Sequence, residues 1–333
     1  ALLDLLLKFK EQGMTSIIIS HKLNEISYVA DKITVIRDGS TIETLDKNKD
    51  DFSEQRIIQG MVGREMTDRF PKRPNVKIGD VSMEIKNWNV YHPLYTERKV
   101  VNNVSFKVHK GEVVGISGLM GAGRTETARA LFGADPKQSG KISIMGKDGQ
   151  LHEVTINSPQ DAVKYGIGYL SEDRRRYGVV VQKSVTENTT LATMEEYCNG
   201  LFINKAKEKK VTERYVKELA TKTPSTDQLV VNLSGGNQQK VVIAKWLTRD
   251  SEILIFDEPT RGIDVGAKNE IYKLMSKLAA EGKSIIMISS EMTEILRMSD
   301  RIIVMCEGKI TGNIDISEAT QEHIMNHATR NIN

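Results

Sequence analysis

The sequence predicts an α/β fold built on a parallel core sheet, because apolar strand patterns alternate with helical patterns. Two strands carry this prediction. Residues Glu112 to Ser117 run into a glycine-rich turn and then a helix, and the apolar run Ser251 to Phe256 ends in an acidic turn. Strands buried on both faces read as continuous apolar runs, and open parallel sheets bind ligands where such strands end. We therefore expect the functional residues at the carboxyl ends of these strands.

Composition and charge narrow the class of protein. The chain has 333 residues, of which 39% are hydrophobic, enough for a real core. Its 47 lysines and arginines nearly balance its 44 acidic residues, so the net charge of +3 provides no general field for binding polyanions. The two cysteines, Cys198 and Cys306, are too few for a disulfide scaffold and fit a reducing compartment. No apolar run approaches the roughly 20 residues that cross a bilayer, so a membrane role would need a partner.

The N-terminal segment is repeated near the C-terminus at an offset of 269 residues, which places Gly13 on Gly282 and Ser20 on Ser289. Each copy predicts a helix, a buried strand (Ser16 to Ser20 in the first copy), a second helix and a final strand pair. We expect residues 1–62 to be the C-terminal remnant of a first module, 63–80 to be a proline-bounded linker and 81–333 to be a second module. The chain would then be a piece of a longer protein, which also fits its lack of an initiator methionine.

The glycine-rich turn after the first strand has the pattern of a phosphate-binding loop. Backbone N–H groups in such a turn converge on phosphate oxygens, and the following helix, expected to run through Ala130, adds positive potential. Thr125 would offer a hydroxyl to Mg²⁺. Arg124 departs from the pattern, which has lysine at that position. A purely structural turn is the alternative. The residues predicted to bind the cofactor here are Gly118, Gly121, Ala122, Gly123, Arg124, Thr125 and Glu126.

Two adjacent carboxylates follow the second strand. Asp257 would hold Mg²⁺, directly or through water, and Glu258 would polarise the attacking water. The alternative is an ordinary acidic turn after a core strand, which is less expected in a chain that also has a phosphate-binding loop.

A hydroxyl and two glycines, Ser234, Gly235 and Gly236, open another helix and form a second anion-binding terminus. One phosphate needs only one such cradle. Two in one module make sense if modules pair head to tail and each completes the other's nucleotide site.

The segment Leu233 to Asn237, LSGGN, resembles the signature of the ATP-binding subunits of ABC transporters. The longer stretches GLMGAGRTE (118–126), LSGGNQQK (233–240), DEPTRGIDVGA (257–267) and ISSEM (288–292) resemble the second half of the double-module ATPases of bacterial simple-sugar importers of the ribose, xylose and galactose type. This resemblance covers nearly the whole chain. It implies a P-loop NTPase fold with a RecA-like parallel core sheet, an antiparallel β edge near residues 81–110 and a helical subdomain at about 172–232.

The resemblance also implies roles for individual residues. Asp264 lies in the D-loop, and His21 is the switch histidine of the first module, which the repeat aligns with Ser290. Glu172 occupies the Q-loop position, where the family has glutamine. Because Arg124, Glu172 and Ser290 all depart from the pattern, we expect the module's own site to bind nucleotide but to hydrolyse it poorly. Its signature loop would complete the competent site formed with the first module.

The resemblance implies that the protein couples binding and hydrolysis of ATP, with Mg²⁺, to monosaccharide import. Its partners would be membrane permease subunits, a periplasmic or extracellular sugar-binding protein and another ATP-binding module, and it would lie at the cytoplasmic face of the membrane as a peripheral subunit. We expect no nucleic-acid partner, since the basic stretches 173–176 and 204–210 lack interleaved aromatic residues. A soluble ABC protein acting on ribosomes or DNA, and a non-catalytic regulatory module, are the alternatives. We expect Tyr91 or Tyr95 to stack on adenine. The alternative is that each is an ordinary aromatic residue of a strand.

Overall fold

The computed structural model describes residues 2–19, 23–37, 40–53, 56–57, 60, 77–92, 95, 97–200 and 202–329. The chain divides into two compact units. The first comprises Ala1–Arg69 and Ile263–Glu270, and the second comprises Phe70–Gly262 and Ile271–Asn333. The module boundaries predicted from the sequence at residues 62 and 80 stay predictions, because the stretch 61–76 falls outside the described residues.

The first unit contains the N-terminal copy of the repeat. Its elements are α1 (Leu2–Glu11), α2 (Leu23–Val29), β1 (Lys32–Arg37) and β2 (Ser40–Asp46). The two strands pair antiparallel, as predicted for the end of the repeat. Ile33, Val35, Leu45 and Ile57 are buried in a small apolar core of this unit.

The strand predicted at Ser16 to Ser20 is wrong for residues 16–19, which form neither strand nor helix. Ile17 and Ile19 are 92% and 97% exposed. The equivalent strand of the second copy, Ser284–Ile288, is hydrogen-bonded to a neighbouring strand on each side. Among the described residues no strand pairs with residues 16–19, so an apolar run with strand propensity has no ladder to join.

The described strands of the second unit form two large sheets and one short two-stranded hairpin. Its strands are β3 (Val81–Tyr91), β4 (Lys99–His109), β5 (Val113–Gly118), β6 (Lys137–Met145), β7 (Leu151–Val154), β8 (Ile167–Leu170), β9 (Cys198–Asn199), β10 (Phe202–Ile203), β11 (Ile253–Asp257), β12 (Ser284–Ile288), β13 (Arg301–Cys306) and β14 (Lys309–Asp315). Its helices are α3 (Arg124–Leu131), α4 (Pro159–Lys164), α5 (Val185–Thr190), α6 (Lys205–Glu218), α7 (Gly235–Thr248), α8 (Val265–Ala280), α9 (Met292–Met298) and α10 (Gln321–Ala328). The first residues of α8, up to Glu270, are counted with the first unit.

The larger sheet has six strands in the order β14-β13-β5-β12-β11-β8. All neighbouring pairs are parallel except β13 and the edge strand β14. Every residue of β8, β11 and β12 is buried, which explains why these strands read as uninterrupted apolar runs. The predicted parallel core sheet is confirmed, and it brings the segments that follow β5, β8, β11 and β12 to one edge.

The smaller sheet is antiparallel, with the order β4-β3-β6-β7. The antiparallel strands predicted near residues 81–110 are confirmed by β3 and β4. Strands β6 and β7, which no sequence pattern predicted, make this a four-stranded sheet of its own rather than an edge. A buried hydrogen bond from the Ser284 hydroxyl to the Ser82 hydroxyl, 2.7 Å long, joins the two sheets.

The segment between β8 and α7 is mostly helical. It contains a π-helical turn (Arg174–Gly178), α5, a 3-10 turn (Leu191–Tyr197), α6 and a second 3-10 turn (Val230–Asn232). The short hairpin of β9 and β10 interrupts it. None of the described helices of the chain has both the length and the apolar character that crossing a bilayer requires.

Lys245, in the last turns of α7, is a buried lysine. Its Nζ donates a 2.7 Å hydrogen bond to the carbonyl of Gly178, the last residue of the π-helical turn. It also lies 4.5 Å from the ring centroid of Trp246. Burial lowers the pKa of Lys245 to about 8, because the charged form is poorly solvated there.

We predict that this lysine gives the protein a specific pH dependence of stability. The unfolded chain holds the proton more tightly than the native state between about pH 8 and the ordinary lysine value of 10.5, so the free energy of unfolding rises with pH in that window. Between about pH 8 and 10 the contribution is about 2 kcal/mol. Urea unfolding of Lys245→Met should lack this rise, whereas the exposed-site control Lys210→Met should keep it. Equal pH profiles for the two variants would contradict the assignment.

Candidate functional site

The loop between β5 and α3 has the backbone that its glycines predict. Gly118, Gly121 and Gly123 have φ values of 148°, 79° and 94°, a region that side chains disfavour. A Cβ at Gly118 would lie 2.3 Å from the carbonyl oxygen of Met305, and one at Gly123 would lie 2.5 Å from that of Val100. Only glycine lets the loop pack this closely while it leads into the N-terminus of α3, where backbone N–H groups are available to an anion.

Asp257, at the end of β11, is fully buried and holds the centre of the site. The Thr125 hydroxyl donates to its Oδ1 at 3.2 Å, and the Tyr169 hydroxyl donates to its Oδ2 at 2.8 Å. Burial raises the pKa of Asp257, while these two hydrogen bonds and the charge of Arg124 act in the opposite direction. A hydroxyl and a carboxylate in contact are the kind of oxygen ligands that Mg²⁺ takes in proteins.

Tyr169 is a site residue that was not predicted from the sequence. Its position, three residues before Glu172 at the end of a buried strand, is the signal that was available. In the structure Tyr169 lies on β8 opposite Ile255 of the neighbouring β11, which brings its hydroxyl to the carboxylate at the end of that strand. Burial, followed by the charge of Asp257, raises the pKa of Tyr169, so the hydroxyl remains a hydrogen-bond donor.

Glu258, the next residue, turns away from the strand with a φ of 48°. Its Oε2 accepts a 3.1 Å hydrogen bond from the Ser290 hydroxyl, and its Oε1 lies 3.9 Å from Nη2 of Arg124. Nη1 of Arg124 donates to the carbonyl oxygen of Ser289 at 2.9 Å. Burial raises the pKa of Glu258, and the charge of Arg124 and the Ser290 hydrogen bond partly offset this effect. The structure thus brings together Arg124, Glu258 and Ser290, three residues that the sequence analysis selected.

Behind Glu258 lies a second buried carboxylate, for which no sequence pattern predicted a role. Glu294, only 1% exposed, accepts hydrogen bonds from the Thr260 hydroxyl at 2.5 Å, the Ser289 hydroxyl at 2.7 Å and the Tyr272 hydroxyl. Thr260 follows β11, and Ser289 follows β12. Glu294 therefore holds the two segments that carry Glu258 and Ser290 in a fixed relation to each other.

The second predicted anion site, at the start of α7, is open to solvent. Ser234 is the exposed residue before the helix, and its Oγ accepts a 3.0 Å hydrogen bond from the side-chain amide of Asn237. Gly236 is buried within the first turn. In the part of the chain that the structure describes, no hydrogen bond or ion pair joins residues 234–236 to residues 118–126, so the two predicted cradles are separate.

Among the described residues, no hydrogen bond or ion pair joins Glu172 to Asp257. Its carboxylate forms an ion pair with the side chain of Arg261, and the neighbouring Arg174 donates from Nη1 to the carbonyl oxygen of Arg261 at 3.0 Å. The catalytic role given to Glu172 stays a prediction. The ion pair nevertheless explains why a carboxylate stands at this position, because the carboxylate neutralises the guanidinium of Arg261.

The remaining predicted residues lie elsewhere. Asp264 belongs to the first unit, where its Oδ1 accepts a 2.9 Å hydrogen bond from the backbone N–H of Ala267 at the start of α8. His21 lies outside the described residues. Tyr91 ends β3 half-buried, with Nζ of Lys99 5.8 Å from its ring centroid, and Tyr95 is 66% exposed. Their roles stay predictions.

Comparison with known proteins identifies similar chains. Residues 101–261 match the family described as ABC transporter. The chain is 51% identical to the L-arabinose transport ATP-binding protein AraG of Geobacillus stearothermophilus over 99% of its length and 63% of that protein. It is 54% identical to the xylose import ATP-binding protein XylG of Thermoanaerobacter pseudethanolicus over 98% of its length and 64% of that protein. The chain therefore spans less than two thirds of the length of these relatives.

Solved structures confirm the fold. One is a dimeric, post-hydrolysis state of the ATP-binding cassette MJ0796 bound to ADP and Pi, which the chain matches with a TM-score of 0.58 and 21% identity over 70% of this chain and 98% of that one. At this level of identity the similarity concerns the fold, which is that of an ATP-binding cassette.

We predict that two glycines of the β5–α3 loop differ in their tolerance of a methyl group. Gly121→Ala meets no atom within 4 Å and incurs only the strain of a positive φ, on the order of 1 kcal/mol of unfolding free energy. Gly123→Ala adds a clash with the carbonyl of Val100 and should cost about 3 kcal/mol or more. Denaturant unfolding of the two variants measures the difference. Equal losses would mean that the loop does not pack against β4 as described.

Proposed function

Because residues 101–261 belong to the ABC transporter family and the whole chain is similar to sugar-import ATP-binding proteins, we propose that the full-length protein couples ATP binding and hydrolysis to the import of a monosaccharide through a membrane permease. The observation that carries the proposal is the pairing of Thr125 with the buried Asp257 beside the glycine loop. A phosphate cradle and a metal-binding carboxylate in contact are what binding of Mg-ATP requires.

We assign the nucleotide phosphates to the backbone N–H groups of the loop 118–126, and Mg²⁺ to Thr125 and Asp257. Asp257 suits this role because it is buried. Burial raises its pKa and so disfavours the ionised carboxylate when no cation is present. A cation bound at this carboxylate would stabilise the ionised form. Mg²⁺ would supply positive charge next to the phosphate oxygens. Tyr169 holds the second carboxylate oxygen and so orients the first towards Thr125.

We propose further that this module's own site hydrolyses ATP poorly. The guanidinium of Arg124 is bonded to the carbonyl of Ser289 and lies beside Glu258. Glu258 also accepts from the Ser290 hydroxyl at Oε2, and its Oε1 lies 3.9 Å from Nη2 of Arg124, so both oxygens of the carboxylate that would polarise water already lie near donors. Ser290 is, in addition, too short to reach a γ-phosphate as the imidazole of a histidine would.

The exposed start of α7 would act on a second module. A helix N-terminus with an exposed serine and two glycines is suited to a phosphate, and Ser234 faces solvent rather than the loop 118–126. The dimeric cassette among the similar structures supports the pairing of two such folds, and we propose that the two modules pair head to tail. In this arrangement Ser234, Gly235 and Gly236 complete the nucleotide site of the other module.

The partners proposed are those implied by transport. The relatives are named for L-arabinose transport and for xylose import, so we propose permease subunits and a periplasmic or extracellular sugar-binding protein, with this chain at the cytoplasmic face of the membrane. The near-neutral charge balance, 47 basic against 44 acidic residues, favours these partners over nucleic acid. The choice of sugar would lie with the binding protein and the permease.

Co-expression of the full-length protein with a membrane permease of a sugar importer tests the proposal. We expect the two to co-purify in detergent after nuclease treatment, and we expect the binding protein loaded with its sugar to stimulate ATP hydrolysis by the reconstituted complex. Sedimentation with ribosomes or retention on DNA, without association with a permease, would instead favour a soluble ABC protein.

We predict that a negative charge at the start of α7 damages turnover more than loss of the module's own metal ligand. Ser234→Asp keeps a good helix-capping residue but turns a carboxylate towards an incoming phosphate, so ATPase activity of the reconstituted complex should fall by at least about tenfold. Ser234→Asn, which caps as well but is neutral, should lose far less. Thr125→Ala should also lose less than Ser234→Asp. If Thr125→Ala is as damaging as Ser234→Asp, this module's own site is a catalytic equal and the proposal of poor hydrolysis fails.

A further inference from the structure

Arg174 lies where three separated segments of the second unit meet. Its Nη1 donates to the carbonyl of Arg261, which follows β11. Its Nη2 lies so close to the first residue of α7 that a Cβ at Gly235 would be 2.5 Å away from it. Glu172, two residues before Arg174, pairs with the side chain of Arg261. One short stretch therefore holds both the main chain and the side chain of Arg261 and touches the start of α7.

The segment 169–178, which contains Arg174, is also fastened to the other end of α7. The indole Nε1 of Trp246 donates to the carbonyl of Tyr169 at 2.9 Å, and Lys245 donates to that of Gly178. The two ends of the segment are thus bound to the last turns of α7, and its middle contacts the first. If the segment 169–178 shifted, these contacts would shift α7 with it, including the exposed N-terminus of the helix.

The placement of Arg174 is electrostatically unfavourable, which argues against a purely stabilising role. Its half-buried guanidinium lies beside the positive end of the helix dipole of α7. Its Nε is buried and has no hydrogen-bond partner among the described residues. Burial, followed by the charge of Arg175, lowers the pKa of Arg174. A neutral side chain would avoid all of these costs. We therefore attribute the presence of arginine to its planar guanidinium, which contacts two segments at once.

We propose that Arg174 is a positioning residue that sets the start of α7 and the turn at Arg261 relative to the segment 169–178. This rests on the proposed function, in which the start of α7 completes the nucleotide site of another module. Arg174 then determines whether Ser234 and Gly235 reach that site in the geometry needed for hydrolysis. Because Arg174 contacts neither the loop 118–126 nor Asp257 among the described residues, its loss should affect turnover rather than nucleotide affinity.

The test compares Arg174→Gln, which removes the charge and the fork, with Arg174→Lys, which removes only the fork. Arg175→Gln is the matched control, since Arg175 is an exposed neighbour of the same charge. In the full-length protein, amide hydrogen exchange is measured in peptides covering residues 233–240 and 258–262. We expect both Arg174 variants to increase exchange in both peptides by about threefold or more, and Arg175→Gln to leave it unchanged.

In the reconstituted complex we expect both Arg174 variants to lower kcat by about tenfold with KM for Mg-ATP unchanged within about twofold, and the melting temperature to stay at that of the wild type. Exchange and kcat like those of Arg175→Gln would overturn the proposal. So would full activity of Arg174→Lys, which would mean that charge alone matters, or a fall in melting temperature that accounts for the lost activity. If the wild-type complex has no ATPase activity, the proposed function fails, and the exchange measurement alone decides the role of Arg174.

Discussion

The need to satisfy one buried carboxylate organises the site. Asp257 has no access to solvent, so its two oxygens must find donors within the protein. They find them in Thr125, at the start of α3, and in Tyr169, on β8. These donors are 132 and 88 residues away along the chain, and only the parallel order of β5, β12, β11 and β8 brings them to the same strand end. The glycine loop is placed by the same order, because it follows β5.

A second layer of polar contacts determines what the site can do. Glu294 ties the segment after β11 to the segment after β12, and so fixes the spacing between Glu258 and Ser290. Arg124 then lies across both segments, in contact with the carbonyl of Ser289 and near Glu258. A lysine has a single ammonium and cannot contact two such acceptors in a fork. The arginine at this position therefore links the glycine loop to Ser289 and Glu258.

The contacts of the helical region fix the position of α7. Helix α7 is held at its last turns by Lys245 and Trp246 and approached at its first residue by Arg174. Burying Lys245 and half-burying Arg174 has an electrostatic cost, which the protein accepts at the two ends of α7. The segment that follows β8 is consequently held to both ends of α7.

The sequence by itself determined the local features. Strand, turn and helix start can be predicted locally, because backbone conformation depends mainly on neighbouring residues. The patterns that allowed this are the glycines before Arg124, the apolar runs of β5 and β11 and the carboxylates after β11. The tertiary structure decided the partnerships of side chains. Tyr169 with Asp257, Glu172 with Arg261 and Arg174 with Gly235 join segments whose separation along the chain carries no pattern. Residues 16–19 also show that local sequence is not sufficient, since an apolar run becomes a strand only when another strand lies beside it and pairs with its backbone groups.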